Sequence, residues 1–307
     1  MEKKLKLKQL LEDRLIADLN LIDHESLNHT LVGYSQKYNR QVFVKVFAQL
    51  RKLQTEKAVN QQLNSRVLEW FRLEGADLFA LVMTDLAPVA LTGQITPQVA
   101  HTMGERLADF HRQVKPFPGI VSSAALFVKA QGDIANLKDQ DVRDKFEELF
   151  DAFSKLEAPI AADIQSNSRY VLHGDVGVRN YQYVAGSLVL IDFERARLGV
   201  NYLDFVKLFY QDFELDKELI EAFLDGYSSS GLQVEVHEEA QAFLIFMTAI
   251  GIMKYTDQID DPKFKAVGLR MLAAPTCLLT QKGLLNQQRR SKRAVDTAIL
   301  NSIIKVD

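Results

Sequence analysis

The chain has 307 residues, 47% of them hydrophobic and 25% charged, with a formal net charge of -3. That length can bury a large core, and the near-neutral balance gives no overall basic field for nucleic acid. The single cysteine, Cys277, cannot form an intramolecular disulfide, and the longest nearly apolar run, "AFLIFMTAIGIM" at 242–253, is too short to span a bilayer. The N-terminal "MEKKLKLKQLLEDRL" lacks the apolar stretch of a secretory signal, and the only basic cluster, "QQRRSKRAVD", reads as a solvated helix end or tail. A cytoplasmic protein with no nucleic-acid and no membrane partner is expected.

In chain order, "ADLNLID", "HTLVGYS" and "RQVFVKVF" carry alternating or β-branched apolar residues and predict strands, with "QKYNR" turning between the second and third. "LRKLQTEKAVNQQLNSRVLEWF", residues 50–71, reads as helical, and "ADLFALVMTDL" as one more buried strand. The texture changes near residue 87, and helices dominate from Thr96 onward. Thr96 and Pro97 form an N-cap followed by proline at the first helical position, and Val99, Met103, Leu107, Phe110 and Val114 recur at helical spacing. Further helices are predicted over 144–156, 201–212, 216–226, 236–257 and 263–282. The division is therefore a small sheet-bearing part, 1–86, and a larger helical part, 87–307.

One hairpin interrupts the helical part. In "VLHGDVGVRNYQYVAGSLVLIDFE", residues 171–194, two strand-like runs flank Ala185 and Gly186. A two-residue turn there pairs Tyr181 with Leu190 and sets Asn180 opposite Ile191 and beside Asp192. Asp175 stands five residues before Asn180, in a loop that Gly174 and Gly177 allow to curl back. Carboxylate and amide oxygens are hard ligands that suit Mg²⁺, whereas zinc lacks its cysteines here.

"HGD" with asparagine at this spacing, then a short hairpin ending in "IDFE", resembles the aminoglycoside phosphotransferase and choline kinase family, small-molecule relatives of protein kinases. The resemblance implies a protein-kinase-like, two-lobed α+β fold: a small antiparallel-sheet N-terminal lobe that binds nucleotide and a larger, mainly helical C-terminal lobe with the catalytic loop and acceptor site. It implies that Asp175 is the base or orienting group for the substrate hydroxyl, and that Asn180 and Asp192 bind Mg²⁺. Lys45 occupies the place of the strand lysine that contacts the α- and β-phosphates, and Glu56 that of its helix partner. A buried strand carrying one lysine needs such a carboxylate. Thr84 and Leu86 in "ALVMTDL" resemble the hinge that offers backbone groups to adenine. The turn "ESLNHT" would cover the phosphates; it contains no glycine, but Ser26 and Asn28 offer donors.

On the same resemblance Asp204 receives backbone hydrogen bonds from the catalytic loop, and His111 is a structural histidine. Arg179 reads as a surface residue packing on the loop, Glu194 as a loop anchor or metal support, and Arg195 and Arg197 as surface charges. The implied activity is transfer of the γ-phosphate of ATP or GTP, with Mg²⁺, to a hydroxyl of a small molecule. The alternative is a nucleotide-binding pseudokinase. The carboxylate-rich "FYQDFELDKELIEAFLDGY", "VEVHEEAQ" and "YTDQIDD", with Tyr210, Phe213 and Tyr255, would favour a cationic acceptor if they line the site.

Overall fold

The structure, a computed structural model, describes residues 2–22, 29–75, 77–122 and 125–285. Ser26, Asn28 and the basic tail lie outside the described residues. Two compact units form, each from several stretches of chain. The first takes Met1–Leu91, Gln113–Ile120 and Tyr181–Ala196, and the second Thr92–Arg112, Val121–Asn180 and Arg197–Asp307.

The first unit opens with helix α1 (Glu2–Leu15) and continues with strands β1 (Ala17–Ile22), β2 (His29–Ser35) and β3 (Arg40–Phe47). Helix α2 (Leu50–Leu63), β4 (Val67–Arg72) and β5 (Phe79–Thr84) follow. The five strands make one antiparallel sheet in the order β1-β2-β3-β5-β4. Strand alternation sorts β3 into two faces. Val42, Val44 and Val46 pack with Leu7, Leu11 and Leu15 of α1, whereas Phe43 and Phe47 pack with Leu53 of α2. Lys45 shares the parity of Phe43 and Phe47 and so belongs to the α2 face.

The helix predicted over 50–71 is a helix only to Leu63; its last five residues lie in β4. Asn64 and Ser65 both donate their amides to the Asn60 carbonyl, Ser65 takes a left-handed φ of 50°, and the helix stops. Beyond that point Val67, Trp70 and Phe71 pair along β5, so β-branched and aromatic residues with a partner strand override helical spacing.

A smaller sheet in this unit joins β6 (Val89–Ala90), β8 (Tyr181–Val184) and β9 (Ser187–Leu190). Tyr181 faces Leu190, the predicted register. Ala185 and Gly186 turn with φ of 48° and 82°, the pair of positive values that suits a two-residue hairpin turn.

The second unit contains α3 (Pro97–Gln113), α4 (Leu126–Ala135), α5 (Gln140–Ser154), α6 (Glu157–Asn167) and β7 (Tyr170–Leu172), which pairs with β10 (Arg197–Gly199). Then come α7 (Leu203–Lys207), a π-helical turn Leu208–Asp212, α8 (Lys217–Ser229), α9 (Glu238–Thr256), α10 (Pro262–Met271) and α11 (Ala273–Gln281). Thr96 Oγ1 caps α3 by accepting from the Val99 amide. Helix α9 is apolar on nearly every side and forms the centre of the unit, with Phe243 stacked on Phe127 at 4.1 Å. The single helix predicted over 263–282 is two, α10 and α11, meeting at Leu272. Among the described residues no helix is long and apolar enough to cross a membrane.

Candidate active site

In the first unit, Lys45 and Glu56 are both buried, 5% and 1% exposed, because β3 and the first turns of α2 face each other across an apolar layer. The Lys45 ammonium collects three carboxylates: Asp192 Oδ1 at 2.5 Å, Glu194 Oε2 at 3.0 Å and Glu56 Oε2 at 3.6 Å. Burial alone would lower the Lys45 pKa, yet Glu56, Asp192 and Glu194 outweigh it and hold the pKa above the usual lysine value. Glu194 also takes Lys52 Nζ at 2.9 Å. Burial pushes the Glu194 carboxyl up, but the charge of Lys45 and the hydrogen bond from Lys52 bring it below the ordinary range. Asp192 stands just after β9 with φ of 69°, a left-handed conformation that costs a non-glycine residue on the order of 1 kcal/mol. Its side chain is 43% exposed, the most accessible of the three carboxylates.

Thr84 ends β5 opposite Val42, with its amide donated to the Arg66 carbonyl at 2.8 Å, and Leu86 follows two residues on.

In the second unit, β7 delivers the chain into the loop His173–Asn180, which closes with a 3-10 turn over Val178–Asn180. Asp204, at the start of α7, organises this loop. Its carboxylate accepts from the His173 amide at 2.7 Å, the Gly174 amide at 2.9 Å and His111 Nε2 at 3.1 Å. Gly174 has φ of 82°, which lets two successive amides converge on one carboxylate. A carboxylate only accepts, so His111 carries its proton on Nε2, and its Nδ1 meets the Tyr227 hydroxyl at 2.8 Å. Burial would raise the Asp204 carboxyl, but the His111 hydrogen bond and neighbouring charge hold it below the usual range.

Asp175, 8% exposed, is held by two cations: Lys207 Nζ lies 2.5 Å from Oδ1 and Arg179 Nη2 2.8 Å from Oδ2. Asn180 donates its amide nitrogen to the Asp175 carbonyl at 2.7 Å, so the amide oxygen is the end left to accept or ligate. Asp212, in the π-helical turn, accepts from the Val178 amide, and burial pushes its carboxyl above the usual range.

Within each unit, then, the structure gathers residues that the sequence singled out. Lys45, Glu56, Asp192 and Glu194 meet in one; Asp175, Asn180, Asp204 and His111 are linked in the other. Arg179 is 68% exposed yet touches Asp175, and Arg197 donates to the Gly174 carbonyl, so neither is a bare surface charge. Tyr210 and Phe213 are 3% and 2% exposed, which removes them as ring platforms for a cation. Sequence reasoning missed Lys207, although it stands three residues after Asp204, a spacing that puts both on one helix face. It also missed Lys52, one turn before Glu56.

A family model described as "Phosphotransferase enzyme family" matches residues 34–243. Among solved structures, a thermostable mutant of aminoglycoside phosphotransferase APH(4)-Ia, in ternary complex with AMP-PNP and hygromycin B, is 13% identical with a TM-score of 0.65, covering 88% of this chain and 98% of its own. Choline kinase LicA from Streptococcus pneumoniae is 17% identical with a TM-score of 0.60, covering 92% of this chain and 100% of its own. The amicoumacin kinase hAmiN, in complex with AMP-PNP, Ca2+ and Ami, is 14% identical with a TM-score of 0.58, covering 92% and 96%. These likenesses establish the fold, that of small-molecule kinases: α+β, with an antiparallel-sheet N-terminal region and a helical C-terminal region. No curated protein sequence matches the chain.

Proposed function

The chain belongs to the phosphotransferase enzyme family, and from that premise we propose that it moves the γ-phosphoryl group of ATP or GTP to a hydroxyl of a small molecule such as an amino alcohol, an aminoglycoside or a sugar derivative. The observation that carries this reading is the loop His173–Asn180, pinned through two backbone amides on Asp204 so that Asp175 stands preset between Lys207 and Arg179. Preset groups lower the reorganisation needed at the moment of transfer.

Asp175 accepts or orients the proton of the acceptor hydroxyl. Lys45, fixed by Glu56, is assigned to the α- and β-phosphates, Thr84 and Leu86 to the adenine through their backbone, and Ser26 and Asn28 to the phosphates. Asn180 and Asp192 are assigned to Mg²⁺. Their chemistry fits that ion: the amide presents its oxygen because its nitrogen serves the Asp175 carbonyl, and Asp192 is the accessible carboxylate of its cluster. When bound, Mg²⁺ would neutralise charge on the β- and γ-phosphates. The sheet-bearing part, 1–86, takes the donor, and the helical part, 87–307, the acceptor. The single cysteine, which fits a reducing compartment, supports action in the cytoplasm.

A panel of amino alcohols, aminoglycosides and sugars, incubated with ATP or GTP, tests the reading by detection of the phosphorylated acceptor. At least one acceptor becomes phosphorylated, and omission of Mg²⁺ abolishes the product. Nucleotide binding with no transfer to any acceptor would instead make the chain a nucleotide-binding pseudokinase.

A further inference from the structure

Glu56 faces Lys45 with Oε2, a buried oxygen that makes no hydrogen bond. The direction in which it points is decided by its other oxygen. Oε1 accepts from Asn60 Nδ2 at 3.0 Å, and the same nitrogen reaches the Glu56 carbonyl at 2.8 Å, one helical turn back. Asparagine is a weak helix former, and Asn60 is fully buried inside α2, so its amide has to be satisfied locally. Asn60 Oδ1 accepts from Arg66 Nε at 2.7 Å. Arg66 is held in turn by the sheet, its carbonyl accepting the Thr84 amide at 2.8 Å. A continuous line of polar contacts thus runs Thr84, Arg66, Asn60, Glu56, Lys45 within the first unit.

We propose that Asn60, backed by Arg66, is a positioning residue that aims the Glu56 carboxylate and through it holds the Lys45 ammonium where it meets the nucleotide phosphates. The inference rests on the phosphotransferase reading, which assigns Lys45 to those phosphates. That reading commits Asp192 to Mg²⁺, so Glu56 and Glu194 are left to hold Lys45 during turnover. Glu56 can do so only while its far oxygen is tied to Asn60. Arg66 Nε supplies the donor that fixes the orientation of the Asn60 amide, and the Arg66 backbone is held by the Thr84 amide on its carbonyl.

The test measures the affinities of ATP and of adenosine by calorimetry for the wild type, Asn60→Ala and Arg66→Met, with melting temperatures recorded alongside. ATP binding weakens about tenfold in Asn60→Ala, the scale of one hydrogen bond to a buried charge, while adenosine binding is unchanged. Placed on a Glu56→Ala background, Asn60→Ala causes no further loss of ATP affinity. Arg66→Met keeps the backbone link to Thr84 and gives the same pattern, smaller in size, so it carries the test if Asn60→Ala does not fold. Equal weakening of ATP and adenosine, or no weakening of either, overturns the inference. A wild type that binds no nucleotide overturns the phosphotransferase reading itself, a result distinct from both.

Discussion

Both carboxylate oxygens of Asp175 are engaged by cations, Lys207 and Arg179. Two opposite charges at hydrogen-bond distance fix where such a carboxylate points. Lys207 is the better placed of the two to matter, being 22% exposed where Arg179 is 68% exposed and screened by solvent. Lys207→Met is therefore expected to lower kcat on the order of tenfold, with nucleotide affinity within about twofold of wild type. Steady-state kinetics with an acceptor that the wild type phosphorylates checks this, and an unchanged kcat would remove Lys207 from the site. At this scale the link between Asp175 and Asn180 was legible in the sequence, since a short turn constrains it. Lys207 and Asn60 were not: each contributes through a contact whose partner is set by packing, and a lysine or asparagine on a helix carries no local mark of it.

The loop around Asp175 is an element that depends on another element. Its two N–H donors converge on Asp204 of α7, and His111 of α3 completes the carboxylate's coordination. Asp204→Asn keeps the shape but loses the charge that binds two amides and an imidazole. A stability loss of about 2 kcal/mol or more is expected. The pH dependence has a definite sign. The Asp204 carboxyl sits below its unfolded value, so its stabilisation is complete above about pH 4 and disappears as pH falls through the lower folded value. Melting temperatures followed downward from about pH 5 should thus fall more steeply for the wild type than for Asp204→Asn; parallel curves would mean that Asp204 is not charged in the fold. The hairpin β8–β9 was readable because a two-residue turn leaves one register. Strand β4 was not, because Val67 to Phe71 continue the apolar spacing of α2 and only pairing with β5 decides their conformation.

On the scale of the whole chain, the units are not consecutive halves. The hairpin segment Tyr181–Ala196, which carries Asp192 and Glu194, clusters with the N-terminal sheet, while the loop carrying Asp175 clusters with the helices. The sequence suggested a change of texture near residue 87 but gave no sign that a later segment would rejoin the first part, since that follows from long-range contact alone. A ligand that binds only the folded chain stabilises it by RT ln(1 + [L]/Kd), about 2.7 kcal/mol at a hundredfold excess over Kd. Mg·ATP should accordingly raise the melting temperature of the wild type above the value reached with ATP alone. In Asp192→Ala that metal-dependent increment should vanish, and if it persists the metal site lies elsewhere.

The central claim, that Asp175 drives phosphoryl transfer to a hydroxyl, is tested most directly by comparing Asp175→Asn with the wild type in single-turnover transfer from ATP to the best acceptor of the panel, with ATP affinity measured on the same samples. The account predicts a fall in the transfer rate on the order of 10²-fold or more with ATP affinity retained; a folded Asp175→Asn protein that transfers phosphate at close to the wild-type rate would contradict it.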